Sequence, residues 1–300
     1  MADKAEATGT VVVIGAGTMG AGIAQVAALA GHDTTLCDIN EDVLTRGRSG
    51  IEASLQKGVD RGKVAEADRD AALARLTTAT DSASALAAAD VVIEAVPETM
   101  ALKRRIFEDV DRRAEKAWLL ASNTSSLSVT EIAAATSRPE RFLGLHFFNP
   151  PPIMKLVEIV RGSRSTPALV ERTEAFVRGL GKTPVTVLDA PGFASSRLGL
   201  VLGLEAMRMV EQGVAAPDAI DTALELGYRH PMGPLKTTDY VGLDVRLAIA
   251  EHLFKEIGEQ FRPPMILRRL VRAGMLGRKS GEGFFLWDDA GKCIGPNPAI

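Results

Sequence analysis

The sequence predicts two domains: an α/β domain on a mostly parallel sheet, followed by an all-α domain. Three observations carry that expectation. Up to about residue 190, short β-branched apolar runs alternate with longer stretches of helical periodicity, the pattern of a parallel sheet with helices on both faces. From Pro191 the alternation stops, and the remaining segments read as helices with no convincing strand among them. The chain of 300 residues is also about twice the ~150 typical of one domain, so a boundary at Val187-Leu188-Asp189-Ala190-Pro191-Gly192 leaves a core on each side.

The elements follow in order. Residues 10–14 (TVVVI) form a buried strand, a glycine-rich turn comes next, and an alanine-rich helix runs to Ala30. A second strand spans residues 34–38, and residues 41–76 form one or two polar helices. Residues 90–96 (DVVIEAV) read as a central strand, and 99–116 as a helix, with Leu102, Ile106 and Val110 at four-residue spacing. Residues 118–121 (WLLA) are another strand. Beyond the boundary, residues 193–213, 217–227, 240–258 and 264–273 are predicted helices.

Composition removes several classes of function. Hydrophobic residues at 46% and charged residues at 24% exclude a mostly disordered chain. With 35 basic and 38 acidic residues the net charge is −3, which lacks the basic excess of a nucleic-acid binder. Cys37 and Cys293 lie far apart without metal-ligand spacing, so neither a disulfide framework nor a metal site is expected. No apolar run approaches the eighteen or so residues needed to span a bilayer, and the opening MADKAEATGT lacks the apolar stretch of a secretory signal. The expectation is a cytoplasmic protein.

Gly15-Ala16-Gly17-Thr18-Met19-Gly20 matches G-x-G-x-x-G between a strand and a helix, the context in which that motif binds a dinucleotide. Gly15 permits the tight turn, Gly17 lets the backbone approach the pyrophosphate at the helix N-terminus, and Gly20 lets helix and strand pack closely. Asp38, at the end of the second strand, is placed to accept hydrogen bonds from the adenosine ribose. It would repel a 2′-phosphate, so NAD is favoured over NADP.

Two further segments carry polar chemistry. Ser122-Asn123-Thr124-Ser125-Ser126 follows a strand and so faces the crevice where ligands sit, although a helix cap would use the same residue types. Farther on, GLHFFNPPPIMKLVE places three prolines between two extended apolar runs. If the runs pair antiparallel about Pro152, His146 stands opposite Glu158, close enough for a carboxylate to orient an imidazole as a base. A cross-strand ion pair is the plainer alternative.

GAGTMG, SNTSSL, GLHFFNPPPIMKLVEIV, LGKTPVTVLDAPGF, HPMGP and GRKSGEGFF together resemble the 3-hydroxyacyl-CoA dehydrogenases, among them the bacterial 3-hydroxybutyryl-CoA dehydrogenases, from about Thr10 to Trp287. The resemblance implies a Rossmann-like first domain over residues 1–190, with a CoA-binding helical segment inserted at 41–76, and a helical second domain over 191–300 through which two subunits pair. It implies NAD-dependent oxidation of an L-3-hydroxyacyl-CoA, with His146 as base, Glu158 as its partner and Ser125 bonding the substrate oxygen. Glu98, Lys103, Asn149 and Lys279 match cofactor-contacting positions, with Lys103 also near the thioester. Lys103 on a solvated helix face, and Lys279 in a merely basic loop, remain the alternatives. Ser54 and Arg61 match the CoA segment, which also holds Arg46, Arg48, Lys57 and Lys63. One position departs from the pattern: where the family carries an asparagine in the site, this chain has Ser196. A dehydrogenase acting on a free acid, and a non-catalytic NAD-binding protein, are the rival readings.

Overall fold

A computed structural model describes residues 9–300. The chain divides into two compact units, one ending at Ala190 and the other spanning Pro191–Ile300.

In the first unit, β1 (Thr10–Ile14) leads into α1 (Thr18–Leu29), β2 (Asp33–Cys37), α2 (Glu41–Asp60) and α3 (Glu66–Arg75). Then come β3 (Leu76–Ala79), α4 (Ala83–Ala88), β4 (Val91–Glu94), α5 (Met100–Arg113) and β5 (Leu119–Ser122). The unit ends with α6 (Val129–Ala133), β6 (Phe142–Phe147), β7 (Leu156–Arg161), α7 (Pro167–Gly179) and β8 (Thr183–Leu188). The eight strands form one sheet in the order β3-β2-β1-β4-β5-β6-β7-β8, with the chain reversing direction of travel between β1 and β4. Pairing is parallel except between β6 and β7, so β7 and β8 run against the other six strands. In the centre, Val11, Val12 and Val13 of β1 and Val92 and Ile93 of β4 are fully buried, as continuous apolar strands covered on both faces must be.

Local chemistry sets the helix starts. Asn40 caps α2 by accepting from the backbone N–H groups of Asp42 and Val43, and Glu41 and Asp42 complement the positive helix end. Thr166 caps α7, whose first residue is Pro167. Four elements of this unit lie outside the sequence reading: β3, α4, α7 and β8. Both strands are edges of the sheet, short or interrupted by a proline, and their exposed residues leave little apolar signal.

The second unit contains α8 (Ser195–Glu211), α9 (Pro217–Tyr228), α10 (Pro234–Val241), α11 (Leu243–Glu256) and α12 (Met265–Arg272) around its own core, which includes Leu204, Leu235, Leu253 and Phe284. The single helix expected over 240–258 is broken, because Gly242 adopts φ 107°, ending α10 and starting α11. The unit is helical, but it closes with an antiparallel ribbon of β9 (Phe285–Trp287) and β10 (Cys293–Pro296) that the sequence reading did not contain. Asp239 holds this ribbon to the helices, accepting from the backbone N–H of Phe284 and Phe285 and from the Trp287 indole.

Candidate active site

The carboxyl ends of the parallel strands β1, β2, β4, β5 and β6 lie along one edge of the sheet, and strand order reverses there between β1 and β4, the position at which open α/β sheets bind ligands. After β1, Gly15 has φ 100°, and a Cβ there would meet the Ala95 carbonyl oxygen at 2.7 Å. A Cβ at Gly20 would fall 1.7 Å from the Gly15 carbonyl oxygen, so only glycine lets α1 leave the turn at this angle. At Gly17 the space is open, and no side chain caps α1 there, so the first backbone N–H groups, including those of Thr18 and Met19, face a vacant approach suited to an anion. β2 ends at Cys37, one residue earlier than expected, and Asp38 stands just beyond it. Its carboxylate accepts from the Ala16 N–H at 2.8 Å and the Asn40 N–H at 3.1 Å, which fixes it beside the glycine loop. These residues fit the adenosine and pyrophosphate of a dinucleotide.

Between β4, α5 and the segment after β5 lies an ionic relay. Lys103 does not occupy a solvated face; it is 1% exposed. Its ammonium donates to Glu94 at 2.7 Å and lies 3.3 Å from Glu98. Glu94, fully buried at the end of β4, also accepts from the Ser122 hydroxyl at 2.6 Å. Glu98 in turn gathers the serine-rich segment, accepting from the Thr124 hydroxyl at 2.6 Å, the Ser125 N–H at 2.8 Å and the Ser126 N–H at 3.1 Å. The Ser125 hydroxyl also reaches this carboxylate, at 3.3 Å. Burial pushes the Glu98 carboxyl upward, but the Lys103 charge with the Thr124 and Ser125 donors holds it below its ordinary value. Glu94 went unremarked in the sequence reading, although an acid ending an apolar strand (VVIE) is a signal of the same kind as Asp38.

β6 and β7 pair antiparallel with His146 directly opposite Glu158. The imidazole Nδ1 lies 2.8 Å from Glu158 Oε2, and the pair is buried, His146 being 7% exposed. The Phe148 ring packs on the imidazole at 4.5 Å between centroids, and Asn149 stands exposed just after it. The proline segment is held from below by Lys182, whose buried ammonium donates to the carbonyls of Pro151 at 2.5 Å and Met154 at 2.8 Å. No role for Lys182 was read from the sequence, since nothing in its local context tells that it turns inward.

One face of α2, formed by Arg46, Gly50 and Ser54, lines a cavity of about 460 Å³ together with Gly17, Thr18 and Pro150 to Pro152. Arg61 caps the far end of α2 and is exposed, two turns from Ser54. Arg48 is committed elsewhere, to Glu52 and the Leu76 carbonyl. In the second unit, Ser196 lies in the first turn of α8, and Lys279 is 2.6 Å from the Asp244 carboxylate. Each unit thus holds its own share of the expected residues. Among the described residues, no group of histidine, cysteine and carboxylate side chains is arranged to hold a metal ion.

Comparison with known proteins bears on what this arrangement is. Residues 10–190 match the family model for the NAD binding domain of 3-hydroxyacyl-CoA dehydrogenase, and residues 192–287 match its C-terminal domain. The chain is 46% identical over 278 residues to the 3-hydroxybutyryl-CoA dehydrogenase of Mycobacterium tuberculosis, covering 92% of this chain and 97% of the relative. It is 44% identical over 282 residues to the mitochondrial hydroxyacyl-coenzyme A dehydrogenase of Rattus norvegicus, covering 92% and 90%. Crystallographic (S)-3-hydroxybutyryl-CoA dehydrogenase from Ralstonia eutropha is similar with a TM-score of 0.89 at 41% identity, over 93% of this chain and 99% of that one. A glycine loop with Asp38 fixed beside it at the sheet's switch point, and an oriented imidazole three strands along from β1, are an arrangement that suits a nicotinamide-dependent dehydrogenase. The chain belongs to the 3-hydroxyacyl-CoA dehydrogenase family, and its cofactor is NAD.

Proposed function

We propose that this chain oxidises a short-chain L-3-hydroxyacyl-CoA, such as 3-hydroxybutyryl-CoA, to the 3-oxoacyl-CoA, and runs the reverse reduction. The observation that carries the reading is the buried His146–Glu158 pair, 2.8 Å apart at the end of β6 in a chain of this family. The carboxylate accepts the proton on Nδ1 and thereby selects the tautomer whose basic lone pair is on Nε2. That nitrogen takes the 3-hydroxyl proton while the hydrogen on C3 departs as hydride; in reduction the imidazolium returns the proton. NAD, when bound, supplies the hydride acceptor. Glu158 stabilises the imidazolium formed in between.

Ser125 serves the substrate oxygen by turning its hydroxyl from Glu98, a long contact at 3.3 Å that is readily exchanged. Ser196 takes the place of the family's asparagine with a shorter donor. Gly15, Gly17, Thr18, Met19, Gly20 and Asp38 hold the adenosine end of the cofactor, and Asn149 and Lys279 its other contacts. Glu98 and Lys103 contact the cofactor, Lys103 also near the thioester end, and the ion pairs of Lys103 with Glu94 and Glu98 brace the serine-rich segment beside them. Ser54, Arg61 and the lined face of α2 receive the CoA moiety. The same reading includes a cytoplasmic location and a homodimer formed through the second unit, where Leu226, Tyr228 and Met265 leave large apolar side chains exposed.

The test is NADH oxidation with acetoacetyl-CoA beside free acetoacetate. Turnover of the thioester alone is the expected result. Equal turnover of the free acid overturns the CoA reading, and no turnover of either makes the chain an NAD-binding protein without catalysis.

A further inference from the structure

The second unit contains a buried cation, Arg246, that forms no ion pair among the described residues. Arg246 on α11 is 7% exposed, and its Nε is buried without a hydrogen-bond partner among the described residues. Three acids of this unit have other partners. Asp221 accepts from the Leu235 and Lys236 N–H groups, Asp239 holds the ribbon, and Asp244, two residues before Arg246, pairs with Lys279. A guanidinium removed from water with no counter-charge is strongly disfavoured. Burial alone pulls this one down to about 10, with no opposing charge to restore it.

The position of the guanidinium is specific. It lies against α8 at Gly199, where a Cβ would sit 3.8 Å from Nη1 and 3.9 Å from Nη2. Ser196 and Gly199 are three residues apart in α8 and therefore share a face, about 5–6 Å from each other. The absence of a side chain at Gly199 brings the planar donor fork close to the helix one turn beyond Ser196.

We propose that Arg246 is a specificity residue which binds a carboxylate at the far end of the acyl chain, so that the preferred substrates are CoA thioesters of dicarboxylic 3-hydroxy acids. The inference rests on the reading in which Ser196 touches the substrate near its oxidised carbon. From that carbon the acyl chain continues along the Ser196–Gly199 face and ends at the guanidinium, whose fork matches a carboxylate in two-pronged fashion. A neutral chain of equal length leaves the cation unpaired, and the discrimination follows from that difference.

The experiment compares kcat/KM for 3-oxoadipyl-CoA, which ends in a carboxylate, with 3-oxohexanoyl-CoA, its neutral counterpart, and with acetoacetyl-CoA. The wild type should favour the acid-ended thioester over its neutral counterpart by about tenfold or more, the worth of one charge-assisted hydrogen-bonded contact. Arg246→Met should abolish that preference while still reducing acetoacetyl-CoA, and Arg246→Lys should keep part of it. Equal rates for the paired thioesters in the wild type overturn the proposal, as does a preference that survives in Arg246→Met. A change of molecular mass in Arg246→Met with unchanged selectivity also overturns it, assigning the cation to a second copy of the chain. Failure to reduce any of the three thioesters sinks the underlying dehydrogenase reading together with this one.

Discussion

Glu158 has its carboxylate on the Nδ1 side of His146, so the two side chains are separable by experiment. Replacing His146 by Ala should lower kcat by roughly 10²–10⁴ while NAD still binds, because only the base is lost. Glu158→Gln should lower it less, since an amide still occupies the Nδ1 side but carries no charge to stabilise the imidazolium. Near-normal turnover by His146→Ala would reduce the pair to a structural contact. At Asp38 the carboxylate is fixed by the Ala16 and Asn40 N–H groups and cannot swing away from a 2′-phosphate. NAD should therefore be preferred over NADP by at least about tenfold in kcat/KM, equivalent to ~1.4 kcal/mol, and comparable rates with both would contradict that role. Ser196→Ala should cost on the order of 1 kcal/mol in kcat/KM with acetoacetyl-CoA, one net hydrogen bond, whereas Ser196→Asn should be tolerated.

At the level of elements, Glu94 ties β4 to α5 and to the end of β5 through Lys103 and Ser122. Glu94→Gln leaves the Lys103 ammonium buried without its main counter-charge, and the expected cost is about 3–5 kcal/mol of stability. Adding Lys103→Met should recover part of that loss, because the orphaned charge is then gone; melting curves for the single and double variants settle the matter. Purely additive losses would mean that the two groups do not form a relay. The ribbon in the second unit offers a test by pH. Burial pushes Asp239 up to about 6 from an ordinary 3.8, so the folded chain keeps a proton that the unfolded chain releases. That stabilisation is complete below the ordinary value and lost as pH rises through the folded one. Asp239→Asn cannot ionise. Its melting temperature relative to wild type should therefore improve between about pH 4 and pH 7, by the equivalent of up to about 3 kcal/mol. A difference that stays flat with pH would show that the three donors outweigh burial and keep Asp239 ionised.

For the molecule as a whole, the expectation is pairing through the second unit, measured by sedimentation as a mass near twice 31.8 kDa. A fully active monomer would remove the dimer from the proposal. Each unit has a core of its own, with Val13, Ile93 and Leu145 in the first and Leu204, Leu253 and Phe284 in the second. The change of texture at Pro191 was visible for that reason: parallel strands buried on both faces demand unbroken β-branched runs, and a helical unit does not. The same logic left β3 and β8 unread, because an edge strand is half solvated and its composition merges with the loops around it.

By itself, the sequence determined what is encoded over short stretches. The glycine loop and its strand–helix setting are local, as is the hairpin register that sets His146 opposite Glu158, because a proline-rich turn between two short strands leaves few ways to pair. Only the tertiary structure decided where long flexible side chains end. For Lys103 the sequence left a solvated helix face as an alternative, yet the side chain is drawn inward because Glu94, nine residues earlier, arrives beneath it on a buried strand. Lys182 turns inward to two carbonyls about thirty residues away, and Arg246 is buried beside a glycine of another helix. The composition of a segment fixes which of its faces is apolar; the destination of a charge at the end of several rotatable bonds depends on which distant elements the fold brings beside it.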